Sequence, residues 1–281
     1  MLHPEALRDR IALITGGGSG LGLSMAKRFA ELGARVSIVG RNADRLSAAA
    51  EQIDPSGERV HVHAADVRDA DAIDAAVGAA HERFGGLDIL VNNAAGNFLA
   101  ATEELSANAF DAIVRIVLHG TFHATQAAAK RWIAAGEGGS VLNILATYAW
   151  TGSAFVVPSA AAKAGVLAMT RSLAVEWATY GIRVNAIAPG PFPTEGAWDR
   201  LMPTPEVEKA ALARVPLGRF GEHAELANLA AFLVSDASPF ITGECVTIDG
   251  GAWMGSGGQF NGLTAVPREQ VKAMLRQARG R

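Results

Sequence analysis

Short runs of β-branched and other apolar residues alternate along the chain with longer, Ala-rich segments whose apolar positions recur at helical spacing. The apolar runs predict strands at 11–15, 35–39, 60–64, 89–92, 141–145, 183–187 and 245–248, and helices are expected near 20–32, 43–53, 70–84, 106–134, 159–179 and 222–235. Strands that are apolar on both faces, each followed by a helix, describe a parallel sheet covered on both sides. The expected fold class is α/β: one doubly wound domain over residues 1–281, with a mostly parallel seven-stranded sheet and helices on both faces. No linker or composition break divides it. The proline-rich stretch 188–205, with Pro189, Pro191, Pro193, Pro203 and Pro205, is too long for an ordinary connection and is read as a substrate loop. Residues 252–281 are read as a C-terminal extension.

Composition narrows the function more than the fold. The 281 residues carry 25 Lys+Arg against 28 Asp+Glu, a formal charge of −3, so no basic footprint suggests a nucleic-acid partner. Residues 138–162 lack charge and are long enough to span a bilayer, but Asn143, Thr147, Tyr148 and Pro158 interrupt them, and no membrane partner is expected. The single cysteine, Cys245, fits a reducing compartment and reads as an inert thiol in a buried strand. With no signal-like run at the start, the cytoplasm is the expected location.

Chemistry enters at the first strand. Thr15, Gly16, Gly18, Ser19, Gly20, Leu21 and Gly22 form a glycine turn between that strand and the first helix. Glycines there let the backbone approach a pyrophosphate, whose charge then meets free amides at the helix N-terminus, which makes the domain Rossmann-type. The second strand runs into Gly40, Arg41 and Asn42, where an NAD site places an acid; the guanidinium of Arg41 suits a 2′-phosphate and selects NADPH, the alternative being a surface arginine at a helix start. Asp66 could accept from the adenine amino group, cap the following helix, or both.

Three further motifs, Asn92-Asn93-Ala94-Ala95-Gly96, Asn185-Ala186-Ile187-Ala188-Pro189-Gly190 and Asp249-Gly250-Gly251, occur in order after the glycine turn. Together they resemble the short-chain dehydrogenase/reductase superfamily. Its standard members use an Asn, a Ser and a Tyr-x-x-x-Lys pair, and this chain keeps only Lys163: Ser159 stands at the tyrosine position, Ala146 at the serine and Val117 at the asparagine. Tyr148, eleven residues before Ser159, together with Asn97, Phe98 and the tail Phe260-Asn261-Gly262-Leu263, is similar to the 2,4-dienoyl-CoA reductase branch. The resemblance implies catalytic roles for Asn97, Tyr148, Ser159 and Lys163. Cofactor contacts are implied at Asp66, Val67, Asn93, Lys163, Pro189, Gly190, Pro191 and Phe192, and acyl-CoA contacts at Arg68, Asn97, Phe98, Ser106, Tyr148 and Arg200. It also implies a homotetramer.

The implied reaction is NADPH-dependent reduction of a 2,4-dienoyl-CoA thioester in β-oxidation of unsaturated fatty acids. Hydride addition at Cδ sends charge to the thioester oxygen, and donors aimed at that oxygen contribute about 3–4 kcal/mol each. Tyr148 and Asn97 are suitable donors on loops after the fourth and fifth strands. Ser159 and Lys163 share one helix face, where Lys163 would hold the nicotinamide ribose and Ser159 would support Tyr148. The expected product is a trans-3-enoyl thioester, with the 2-enoyl isomer as the alternative. Two other readings stay open: a reductase of another activated substrate, such as a 2-enoyl thioester or a ketone, and a catalytically silent NADP(H)-binding sensor or scaffold. His119 and His123 lie i, i+4 on one helix without a carboxylate or cysteine at ligand spacing, so helix packing or an interface is preferred to a metal and none is expected.

Overall fold

All seven predicted strands form. In the computed structural model, which describes residues 2–195 and 198–279, they are β1 (Ile11–Thr15), β2 (Arg35–Gly40), β3 (Val60–Ala64), β4 (Ile89–Asn92), β5 (Gly139–Ile144), β6 (Ile182–Pro189) and β7 (Cys245–Ile248). They pair in the order β3-β2-β1-β4-β5-β6-β7, and every pair is parallel, which sharpens the expectation of a mostly parallel sheet. Strand order reverses between β1 and β4, so the ends of these two strands open a crevice at the carboxyl edge.

The alternation of a strand distributes its residues to two cores in a single domain. Ile14, Ile38, Val91, Leu142 and Ile187 face α1 (Gly20–Glu31), α2 (Ala43–Ile53) and α10 (His223–Val234). Leu13, Val39, Leu90, Val141 and Val184 face α3 (Ala70–Phe84) and α5 (Gly120–Ala135). Nearly every side chain of the inner strands is buried, which is why they are apolar without a polar face. β7, at the sheet edge, is half-buried throughout, so Cys245 is not the fully buried residue its sequence suggests.

Three stretches differ from the pattern reading. The helix expected over 106–134 is α4 (Ala107–Val114), a π-turn over Arg115–His119 and then α5. Gly120 sits at that break because a Cβ there would collide with Val67. The region read as one irregular loop contains α8 (Trp198–Leu201) and leads into α9 (Pro205–Ala213). The extension forms α11 (Ala252–Gly257) and α12 (Arg268–Arg279). Two further helices complete the site: the single turn α6 (Tyr148–Thr151) and the long α7 (Val157–Glu176). Among the described residues, no helix is long and apolar enough to cross a membrane.

Candidate active site

The crevice between β1 and β4 is built from glycine geometry and one buried hydroxyl. Gly16 and Gly20 have φ of +67° and +54°, a conformation disfavoured for residues with a Cβ. Thr15 Oγ1 accepts from the N–H groups of Asn93 and Ala94 at 3.1 Å each, and Asn93 Nδ2 donates to the carbonyls of Thr15 (3.1 Å) and Gly16 (3.2 Å). The β4 loop is thereby tied to the glycine turn. A Cβ on Gly22 would overlap the Gly16 carbonyl, so α1 approaches the turn as closely as a glycine permits.

The first turn of α1 carries no acidic residue, and its N-cap, Ser19, makes no side-chain capping bond. Its amides are left for an anion. The turn opens into a cleft of about 1440 Å³ whose lining includes Gly18, Leu21, Arg41, Arg45, Asp66 and Val67. This cleft fits the adenosine and diphosphate of a dinucleotide. No acid follows β2: Gly40 is succeeded by exposed Arg41 and by Asn42, whose Oδ1 accepts from Arg45 N–H at 2.8 Å to cap α2.

Asp66 belongs to the cleft but not to the next helix cap. Asp69 caps α3, accepting from Asp71 and Ala72 at 3.0 and 3.1 Å. Asp66 instead pairs with Arg68, whose Nη2 lies 2.6 Å from its Oδ2, and these hydrogen bonds hold the carboxyl below the usual range. Arg68, an expected phosphate anchor, is thus turned toward Asp66.

On the other side of β4 three of the four expected catalytic residues join in one hydrogen-bonded line, and the fourth, Lys163, lies one helical turn from it. Asn97 Nδ2 donates to the Tyr148 hydroxyl (3.5 Å), which lies 3.0 Å from Ser159 Oγ. Lys163, one turn beyond Ser159 on α7, donates to the carbonyl of Ile144 at the end of β5. Ser159 and Lys163 are both buried. Burial raises the Tyr148 hydroxyl above its ordinary value, with the Ser159 hydrogen bond pulling partly back, and lowers the Lys163 ammonium to about 8. Behind them Asn92 Nδ2 donates to Thr125 Oγ1 (2.8 Å) and to Asn143 Oδ1 (2.9 Å), and Asn143 Nδ2 to Thr170 Oγ1 (2.9 Å), a buried polar track joining α5, β4, β5 and α7.

The other expected residues divide. Gly190 donates its N–H to Ile248 at 2.9 Å, Pro191 accepts from Gly221 at 3.1 Å, and Phe192 is buried in the first core. Phe98 packs against the Ile113, Val117 and Leu145 cluster, and Ser106 caps α4 by accepting from Ala109 N–H at 3.2 Å. The side chain of Arg200 lies outside what the structure describes. His123 Nδ1 is 3.0 Å from the Val67 carbonyl, a packing contact, and among the described residues no three His, Cys, Asp or Glu side chains gather as metal ligands would. Burial lifts the Cys245 thiol to about 11, in keeping with an inert thiol. Arg45, which joins Arg41 and Lys27 as a cation lining the cleft, escaped the sequence reading because nothing local distinguishes it from a surface helix arginine.

A family model described as Enoyl-(Acyl carrier protein) reductase matches residues 16–252, from the glycine turn to the residue after Gly251. The chain belongs to the short-chain dehydrogenase/reductase family. Membership implies a nicotinamide cofactor, which the glycine turn and uncapped helix accommodate. Within the short-chain dehydrogenase/reductase family, a Bacillus subtilis protein named probable 2,4-dienoyl-CoA reductase [(2E)-enoyl-CoA-producing] is 47% identical over 88% of this chain and 98% of its own length. A zebrafish (Danio rerio) protein named peroxisomal 2,4-dienoyl-CoA reductase [(3E)-enoyl-CoA-producing] is 40% identical over 94% of this chain and 88% of its own. The crystal structure of a short chain dehydrogenase from Bacillus anthracis superposes with a TM-score of 0.81 at 46% identity, covering 88% of this chain and 98% of that one.

Proposed function

We propose that the protein is an NADPH-dependent 2,4-dienoyl-CoA reductase. The observation that carries the reading is the line of hydroxyl and amide groups from Asn97 through Tyr148 to Ser159, with Lys163 buried at its base. A bound nicotinamide supplies the hydride. Tyr148 is protonated at neutral pH, as a phenol ordinarily is, and burial raises its pKa further, so it donates to a thioester oxyanion rather than competing with it. Ser159 accepts from or donates to the same hydroxyl and fixes its direction, and Asn97 offers a second N–H. Lys163 presents a cation to the ribose hydroxyls. The absence of a tyrosine at 159 counts against ketone reduction, and a silent sensor would have no need of this donor line.

Arg41 and Arg45, with no acid after β2, support NADPH over NADH. Protonation of the dienolate at Cα, the carbon of higher electron density, gives the trans-3-enoyl thioester. Relatives carry both product names, so the product is the point to measure. Exposed apolar side chains on α4, α5 and α7 support a homotetramer, and the lone cysteine supports a reducing compartment, read as the cytoplasm. The test is NADPH oxidation by the purified protein with a 2,4-dienoyl-CoA, followed by product identification. Turnover with formation of an enoyl-CoA is expected, and no consumption of NADPH would overturn the reading.

A further inference from the structure

The loop that follows β6 is held by one short strip, residues 220–223 at the entrance to α10. Gly221 N–H donates to the Pro191 carbonyl at 3.1 Å, and the Phe192 ring lies so close to Gly221 that any Cβ there would strike it. Phe220 meets Trp198 edge-on, with ring centroids 4.8 Å apart. His223 Nε2 donates to the Pro193 carbonyl at 2.6 Å. The strip is itself fixed. Arg219 grips Glu225 through two hydrogen bonds of 2.6 and 2.8 Å, and Glu222 and Glu225 form a capping box on α10.

His223 makes one further contact, and it leads to the cofactor helix. Its Nδ1 lies 2.9 Å from Ser24 Oγ on α1. A carbonyl only accepts, so Nε2 carries a proton. The Ser24 hydroxyl, whose one hydrogen also faces the Gly20 carbonyl at 3.1 Å, donates to Nδ1 of the neutral ring, the shorter of its two contacts, or accepts from Nδ1 of the charged ring while donating to Gly20; the bridge from Pro193 to α1 holds in both protonation states. The same loop brings the Thr194 methyl within 3.4 Å of the position a Cβ on Gly20 would occupy. His223, Ser24, Thr194 and Gly20 all line the cofactor cleft.

We propose that His223 is a positioning residue for cofactor binding: bridging the Pro193 carbonyl and the Ser24 hydroxyl, it clamps the β6 loop onto α1 and sets the width of the cleft at the glycine turn. A cleft held open at the right width before binding loses less ordering free energy when the diphosphate enters. The inference rests only on the nicotinamide-cofactor part of the functional reading and is independent of the acyl substrate.

The test reads the Kd of NADPH for the free protein by fluorescence titration, with NADH in parallel, together with Tm and the split between cofactor KM and kcat. His223→Leu removes both contacts and is expected to raise Kd about tenfold; Ser24→Ala, and His223→Gln, which keeps a donor for Pro193, are expected to raise it about threefold. Ser24→Ala added to His223→Leu is expected to change nothing more, because the two residues share one contact. The loss should fall on cofactor KM more than on kcat. Should His223→Leu fail to fold, the two milder variants carry the test. An unchanged Kd in variants with a lowered Tm, or additive effects of the two substitutions, would overturn the clamp.

Discussion

Tyr148 is the residue on which the chemistry turns, and its surroundings make the expected effect of losing it specific. Its hydroxyl touches Asn97 and Ser159 but none of the glycine turn, so Tyr148→Phe should lower kcat by about 10²–10³ while the NADPH Kd stays within about twofold. Asn97→Ala should act in the same sense; unchanged turnover in both variants would remove the oxyanion role. Lys163 gives a pH signature. Its folded pKa of about 8 lies below the ordinary 10.5, so from pH 8 to 10.5 the unfolded chain binds more protons than the folded one, and stability due to this residue rises with pH. Relative to Lys163→Met, wild-type protein should gain about 3 kcal/mol of unfolding free energy across that interval, measured by urea denaturation. Cofactor affinity should move the opposite way, because the ribose-facing cation is lost as pH passes 8, and Lys163→Met should flatten that dependence. For Arg41→Asp, an acid beside the adenosine ribose should cut the preference for NADPH over NADH by about tenfold or more, read as the ratio of the two kcat/KM values.

At the scale of elements, legibility in the sequence followed the physics of each signal. Strands buried on both faces are continuous apolar runs, and β1 and β4 begin and end where the pattern predicts; so do the only partly buried edge strands β3 and β7. The prolines near 203–205 misled the reading because Pro205 opens α9 instead of ending a loop: Thr204 Oγ1 accepts from Val207 N–H at 3.4 Å, and proline in a first turn forfeits no helical bond. The π-turn ends at Gly120, whose lack of a side chain is demanded by a close approach to Val67, more than fifty positions away, which no local pattern contains. Of the site, the glycine turn was legible from its order alone, whereas Asn97, Tyr148 and Ser159 needed a family resemblance, since only the crossing of three elements brings them together. The glycine turn also yields an element-level prediction. Gly22→Ala would press a methyl into the Gly16 carbonyl and the Asn93 amide, so α1 must back away from β1; a lowered Tm together with weakened NADPH binding is expected, and wild-type values for both would show that the turn has slack.

For the whole molecule, the question is what covers the apolar side chains that the fold leaves outside. Phe122 and Ile133 lie three turns apart on one face of α5, at 45% and 37% exposure, and Val175 on α7 is 80% exposed. Both helices also bury an opposite face in the cores, so these residues are surplus to the packing of one chain. A net charge of −3 opposes association only weakly. Clustered apolar residues on helix faces mark an interface between symmetric copies. Light scattering should therefore give a particle about four times the 29.2 kDa chain, and Phe122→Glu or Val175→Glu should shift it toward smaller species by placing like charges across a symmetry axis. A wild-type particle of single-chain mass would remove the assembly from the reading. It would leave the chemistry standing, because Asn97, Tyr148, Ser159 and Lys163 meet within one chain, and the glycine turn and the His223 clamp are built from that chain alone.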